Sequence, residues 1–294
     1  MSILPVIIAA IAIPCFLYIL WRVRWGHPPA AFPKVLAYHK VTGFEFGGTW
    51  TTPRRFETMM DALTDDGFHF IDEETFLKTV EGERRGSERE ILVTFDDGYA
   101  GLLESAIPAL DARGIPALIF LVTAYVGGEN RWELYWPGRR FKHLGWDEIK
   151  DLASRGFRFG SHSATHRDLT SLAPEEVITE LAGSKLAIEE RLGRPVHSLS
   201  YPFGRTDPSV MKAAGETGYR AAFSLYPPFS NAPVRRFALR REGIYIIDGI
   251  GNLKAKLAPG GMFWVEDLKG RAINAVALLT PAIKKAEKGF RGDS

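Results

Sequence analysis

Ile91-Leu92-Val93-Thr94-Phe95-Asp96-Asp97-Gly98-Tyr99 is the stretch on which the reading of this chain turns. Its apolar start has the character of a buried strand. Two adjacent carboxylates emerge from that strand, and a glycine that permits a sharp turn follows them. Neighbouring strand residues point to opposite faces, so Asp96 and Asp97 are expected to have separate tasks, one holding a metal ion and one accepting a proton. Asp-Asp-Gly is also a common turn sequence, and alone it decides nothing.

Outward from this stretch, strands and helices alternate. Upstream, Val35 to Val41 reads as a strand with His39 near its carboxyl end. Thr52 to Asp66 and Asp72 to Val80 read as helices around a short strand at Phe68 to Ile71. Downstream come a helix over Ala106 to Arg113, a strand over Pro116 to Val122, a helix over Trp146 to Ser154 and a short strand over Phe157 to Ser161. The clearest helix opens at Pro174 with Glu175-Glu176 in its first turn. Val177, Leu181, Ile188 and Leu192 give it an apolar stripe, and Gly193 stops it. A strand over Val196 to Tyr201, a helix over Pro208 to Thr217, and strands at Arg220 to Ser224 and Gly243 to Ile247 complete the pattern. Such repeating units predict an α/β fold with parallel strands.

The 294 residues are 46% hydrophobic, enough for one large domain or two small ones, and the net charge of +2 gives no sign of a nucleic-acid surface. Cys15 is the sole cysteine, which rules out an intrachain disulfide and cysteine chemistry at a site elsewhere. Ile3 to Leu20 is apolar apart from Tyr18, and Trp21-Arg22-Val23-Arg24-Trp25 supplies an aromatic, basic flank. A retained transmembrane anchor over residues 1–25 is expected in preference to a cleaved signal peptide, whose basic amino end is missing. Arg22 and Arg24 favour the cytoplasmic side for the remainder of the chain. A linker over 26–34, a catalytic domain over 35–250 and an amphipathic extension over 251–294 complete the expected organisation. The helix expected within that extension either packs on the domain or lies in the membrane interface.

His162 and His166 stand four residues apart after a short strand, so both imidazoles can share an ion. Asp96, Asp97, His39 and Phe203 also fall at carboxyl ends of strands, where α/β sites assemble. Two histidines and one carboxylate make an open metal site of the kind catalytic zinc uses. Such an ion acidifies water and polarises a carbonyl. A second carboxylate can take the water's proton, and a histidine across the site can protonate a departing amine. Those parts suffice for amide hydrolysis with no covalent intermediate. His69, His143 and His197 are read as structural.

These motifs resemble those of the polysaccharide deacetylases with the NodB homology domain, the fourth carbohydrate esterase family. Thr94-Phe95-Asp96-Asp97-Gly98 is similar to the first motif, which implies Asp96 as base and Asp97 as metal ligand. Ser161-His162-Ser163-Ala164-Thr165-His166 is similar to the second, which implies His162 and His166 as the remaining ligands. Tyr201-Pro202-Phe203-Gly204 resembles the third, which implies the Phe203 N–H in an oxyanion hole. The implied fold is a distorted, incomplete (β/α) barrel of about seven strands. The implied cofactor is a divalent ion, zinc first, with cobalt, nickel or manganese as substitutes.

Two departures stand out. No histidine follows His197 to serve as the usual late acid, whereas Tyr38-His39-Lys40-Val41 resembles the circularly permuted, poly-N-acetylglucosamine-deacetylating branch. That resemblance implies His39 as the acid. The third motif's arginine, which supports the base, falls at Ser200, and Arg241 or its neighbour Arg240 is expected to replace it. Tyr201, Trp132 and Trp136 are assigned to the substrate, although Trp132, Tyr135 and Trp136 serve equally as core closing the barrel end. The expected protein is therefore a membrane-anchored, metal-dependent hydrolase that removes N-acetyl groups from an amino sugar in a glycan or lipid-linked saccharide. The alternatives are a deformylase or other amidase or esterase on the same scaffold, and a non-catalytic metal-binding domain of a membrane assembly.

Overall fold

The computed structural model describes residues 32–45, 48–130, 141–225, 236–258 and 263–277. The expected anchor, most of the linker, and Trp132, Tyr135 and Trp136 lie outside these residues. The strands in chain order are β1 (Lys34–Tyr38), β2 (Lys40–Val41), β3 (Trp50–Thr51), β4 (His69–Phe70), β5 (Glu90–Phe95), β6 (Ala117–Leu121), β7 (Arg158–Ser161), β8 (Ser198–Ser200), β9 (Ala221–Leu225) and β10 (Leu239–Gly243). The helices are α1 (Pro53–Asp65), α2 (Glu73–Val80), α3 (Ala106–Asp111), α4 (Trp146–Ser154), α5 (Pro174–Leu192), α6 (Pro208–Glu216), α7 (Ile250–Leu257) and α8 (Phe263–Ala277).

Parallel pairing runs in the order β1-β10-β9-β8-β7-β6-β5, and β5 pairs back onto β1 from Lys34↔Ile91 to Tyr38↔Phe95. The eight-stranded sheet, less β4 at its end, is thus a closed seven-stranded parallel barrel. β4 pairs only with the first residues of β5, before β6 joins at Val93. Barrel strands bury both faces, which is why β6 is apolar throughout rather than alternating. One face of these strands, with Val35, Leu92, Leu118, Phe120, Ala221, Phe223 and Leu239, forms a compact inner core. The other face, with Leu36, Ile91, Val93, Ile119 and Ala222, meets the helices in a larger layer. Gly160 is required inside: a Cβ there would lie 2.6 Å from the Phe120 ring and 2.8 Å from the Ser198 carbonyl.

Two expected strands are redrawn. The strand expected over Val35 to Val41 breaks at His39, and its last residues leave the barrel to pair with β3. The strand expected at Gly243 to Ile247 lies earlier, at Leu239–Gly243. Its Arg240-Arg241-Glu242 looks too polar for a barrel strand, but each charge finds a partner on its own face. The described part of the carboxyl-terminal extension packs on the domain. Arg240 meets Asp267 of α8 at 2.7 Å, and Lys269 of α8 meets Asp248 at 2.6 Å. No described helix is long and apolar enough to cross a membrane.

Candidate active site

Alternation along β5 places Leu92, Thr94 and Asp96 on one face, toward the barrel interior. The Asp96 carboxylate is buried there and is gripped by Arg241, with Nη1 2.7 Å from Oδ1 and Nη2 2.7 Å from Oδ2. Arg241 shares the face of Leu239 on β10 and is 0% exposed. Its Nη2 also donates to Ser200 Oγ at 2.8 Å, its Nη1 to Thr94 Oγ1 at 3.3 Å, and its guanidinium carbon lies 5.5 Å from the centre of the Phe120 ring. A serine at position 200 leaves room for that head group. Arg240 is excluded by strand parity, because it faces outward to Glu242 and Asp267. Burial is the largest influence on Asp96 and pushes its pKa up. The charge of Arg241 and its two hydrogen bonds outweigh it, so the carboxyl is held well below its usual range. Asp96 is a carboxylate at any working pH.

Asp97 turns out of the strand in a left-handed conformation, φ +68°. Its Oδ1 lies 3.6 Å from His162 Nε2 and 3.5 Å from His166 Nε2, and all three residues are buried. His162 Nδ1 donates to the Ser200 carbonyl at 2.7 Å, an arrangement that leaves Nε2 with its lone pair toward Asp97. Burial lowers the pKa of His162, and burial together with the neighbouring His162 lowers that of His166 further, so both rings are neutral. The His162–His166 segment is a tight loop rather than a helix, with Ser163 at φ +64° and His166 at φ +60°. Side chains hold it: Ser161 Oγ accepts from the Ser163 N–H, Ser163 Oγ from the His166 N–H, and Glu180 of α5 from the Thr165 N–H and hydroxyl.

Asp97, His162 and His166 place one donor atom each within 4.8 Å of one another. Donors about 2.0–2.1 Å from a tetrahedral zinc stand about 3.4 Å apart, close to the spacings across the Asp97 carboxylate. Neutral imidazoles and one carboxylate, all buried, fit a divalent ion with a position left for water.

His39 sits at the break between β1 and β2 with its Nε2 3.9 Å from Asp96 Oδ2 and its side chain 17% exposed. It can therefore reach both Asp96 and a ligand entering from solvent. Phe203, after β8, takes φ +58° and ψ +10°, and its ring packs edge-on against His166 at 4.8 Å. Asp97, Ser163, His166 and Phe203 are the non-glycine residues with positive φ among the described residues, and all four belong to this cluster. Such conformations cost roughly 1–3 kcal/mol each and persist where the surroundings enforce them.

One assignment is corrected. Tyr201 belongs to the outer core, is fully buried and donates its hydroxyl to the Phe237 carbonyl at 3.0 Å, so its side chain offers nothing to a substrate. His143, read as structural, has a specific part: its Nδ1 donates to the Asp97 carbonyl at 2.7 Å, beneath a stacked Tyr99. Sequence reasoning passed over Glu180 and Asn274. Glu180 carried a signal, an acid beside Val177, Leu181, Ser184 and Ile188 on the buried face of α5. Nothing marks Asn274, whose Nδ2 donates to the Phe203 carbonyl at 3.1 Å.

Comparison with known proteins accords with this site. The family model described as polysaccharide deacetylase matches residues 83–222. YxkH of Bacillus subtilis, assigned by name to the polysaccharide deacetylases, is 28% identical over 214 residues, covering 72% of this chain and 71% of its own. The poly-beta-1,6-N-acetyl-D-glucosamine N-deacetylase of Staphylococcus aureus is 22% identical over 182 residues, 58% of this chain and 59% of that enzyme. The Streptococcus pyogenes deacetylase PplD, solved in complex with acetate, superposes with a TM-score of 0.68 at 20% identity, covering 79% of this chain and all of that one.

Proposed function

From the chain's membership of the polysaccharide deacetylase family, we propose that it is a metal-dependent hydrolase of the N-acetyl group of an amino sugar. Its substrate is a glycan or a lipid-linked saccharide. The observation that carries this reading is a buried, arginine-clamped carboxylate beside a triad fit for a divalent ion, at the carboxyl ends of the strands of one barrel.

Asp97, His162 and His166 would hold the ion, zinc first, with cobalt, nickel or manganese as substitutes. When bound, the ion supplies an acidified water and polarisation of the acetamide carbonyl. The protein's own groups do the rest. Arg241 keeps Asp96 ionised and fixed in orientation, so that it accepts the proton of the attacking water. The Phe203 N–H donates to the oxygen that gains charge as the carbonyl becomes tetrahedral. His39, within reach of Asp96 but open to solvent, delivers a proton to the nitrogen as the C–N bond breaks. Acetate and a free amino sugar leave. Ile3 to Leu20 and its aromatic, basic flank support a membrane anchor, with Arg22 and Arg24 favouring a cytoplasmic active site.

The test is acetate release from polymeric and lipid-linked N-acetylhexosamine substrates by zinc-loaded protein, with Asp97→Ala as control. Release that vanishes in the control is expected. Absence of release from every N-acetylated substrate, with zinc bound, would refute the reading.

A further inference from the structure

The peptide proposed to stabilise the developing oxyanion is not secured by its own loop alone. Phe203 sits in the left-handed region at φ +58°, where a phenylalanine relaxes unless external bonds oppose it. The direction of its N–H relative to its carbonyl follows from that φ and from ψ +10°. Fixing the carbonyl in this conformation therefore fixes the aim of the N–H. On the carboxyl side, Ser224 Oγ donates to the Gly204 carbonyl at 2.6 Å. The Phe203 carbonyl itself is taken by Asn274 Nδ2 at 3.1 Å, across 71 residues of sequence.

Asn274 lies on α8, beyond residues 83–222 that match the family model. The helix is bound to β10, to α7 and to the loop between them through polar contacts. Asp267 pairs with Arg240 at 2.7 Å, Glu266 accepts from Asn252 at 2.9 Å, and Lys269 reaches Asp248 at 2.6 Å. Consecutive residues of β10 thus point to the two halves of the site, Arg241 inward to the base and Arg240 outward to the helix that holds Phe203.

We infer that Asn274 is a positioning residue for the oxyanion donor, and that α8 holds the Phe203 peptide in its reactive conformation through it. This rests on the reading of the Phe203 N–H as that donor. A purely structural Asn274 would affect melting temperature and leave the chemical step alone.

The experiment compares zinc-loaded wild type with Asn274→Ala, the isosteric Asn274→Asp, which loses the donor, and Asn274→Gln, which restores one. Three quantities are read: the Phe203 amide resonance and its hydrogen exchange by NMR, kcat against KM for acetate release, and melting temperature. Removal of an oxyanion donor costs about 10²–10³ in kcat, and a misaimed one should lose part of that, about 10-fold, with KM little changed. The expected result is a shifted, faster-exchanging Phe203 amide and that kcat loss in Ala and Asp, with recovery in Gln. An unmoved Phe203 amide in Ala and Asp would overturn the inference, whatever the activity. A displaced amide with unchanged kcat would instead refute Phe203 as the oxyanion donor, and the positioning role would fall with it.

Discussion

Replacing Arg241 by methionine keeps a long, flexible side chain in the barrel but removes the guanidinium. Asp96 then faces the interior without the two 2.7 Å contacts that neutralise it, and Ser200 and Thr94 lose a donor as well. Breaking a buried ion pair from one side costs about 3–5 kcal/mol, because the surviving charge stays desolvated. A domain with about 5–15 kcal/mol of stability should survive that loss in its weakened form. Asp96→Asn strands the arginine in the same way. In the double variant neither charge remains, so its cost should fall short of the sum of the singles by about 2 kcal/mol or more. The assay is urea unfolding followed by circular dichroism, on chelator-treated protein so that metal binding adds nothing of its own. Additive losses, or an Arg241→Met cost below about 1 kcal/mol, would refute Arg241 as the clamp of a charged Asp96. Activity offers a second check. Arg241 Nη2 lies 2.8 Å from Ser200 Oγ, so Ser200→Arg added to Arg241→Ser should bring a guanidinium back to the same place and restore turnover. A double variant no more active than Arg241→Ser alone would count against that geometry.

Other consequences are as direct. Chelation should stop acetate release and zinc should restore it, while Asp97→Ala, His162→Ala and His166→Ala should each fail to retain zinc in elemental analysis. Glu73, at the start of α2, has its pKa pushed up from 4.5 to about 7, chiefly by burial, with Ser198, Arg158 and Arg220 opposing the rise. The folded protein therefore binds this proton more tightly than the unfolded chain. The associated stability is full below about pH 4.5 and lost as pH rises through 7, at most about 3 kcal/mol in all. Urea titrations between pH 5 and 8, about the range of that shift, should show the decline in wild type and a flatter profile in Glu73→Gln; identical slopes would contradict it. Glu180→Leu frees Thr165 and hence the His162–His166 loop, so zinc affinity by calorimetry should drop about 10–100-fold with the fold intact. Unchanged affinity would mean the loop needs no such brace.

Sequence order alone revealed the alternation of strands and helices, and it located the acids and histidines at strand ends. These features are local: helical spacing, a proline and two glutamates opening α5, and a glycine at +63° closing it all act within a turn or two of chain. The clustering of Asp97, His162 and His166 was legible for the same reason, because the motifs that carry them are short and each follows one strand. The strand expected at Gly243 to Ile247 lies earlier, at Leu239–Gly243, where Arg240, Arg241 and Glu242 each find a charged partner. Tyr201 was misjudged as an aromatic available to the substrate; it follows β8 directly, and its side chain is buried in the outer core.

What tertiary structure decided was which side chains meet across the closed barrel. Arg241 reaches Asp96 over 145 residues, His143 reaches the Asp97 carbonyl over 46, and Asn274 reaches Phe203 over 71. Composition and spacing carry no information about such pairs, because each depends on strand register and on which face a residue presents once β5 has closed onto β1. The sequence determined the chemical groups and the strand ends that bear them. Closure of the barrel selected Arg241 over Arg240, since a shift of one residue along a strand exchanges the interior for the helical layer.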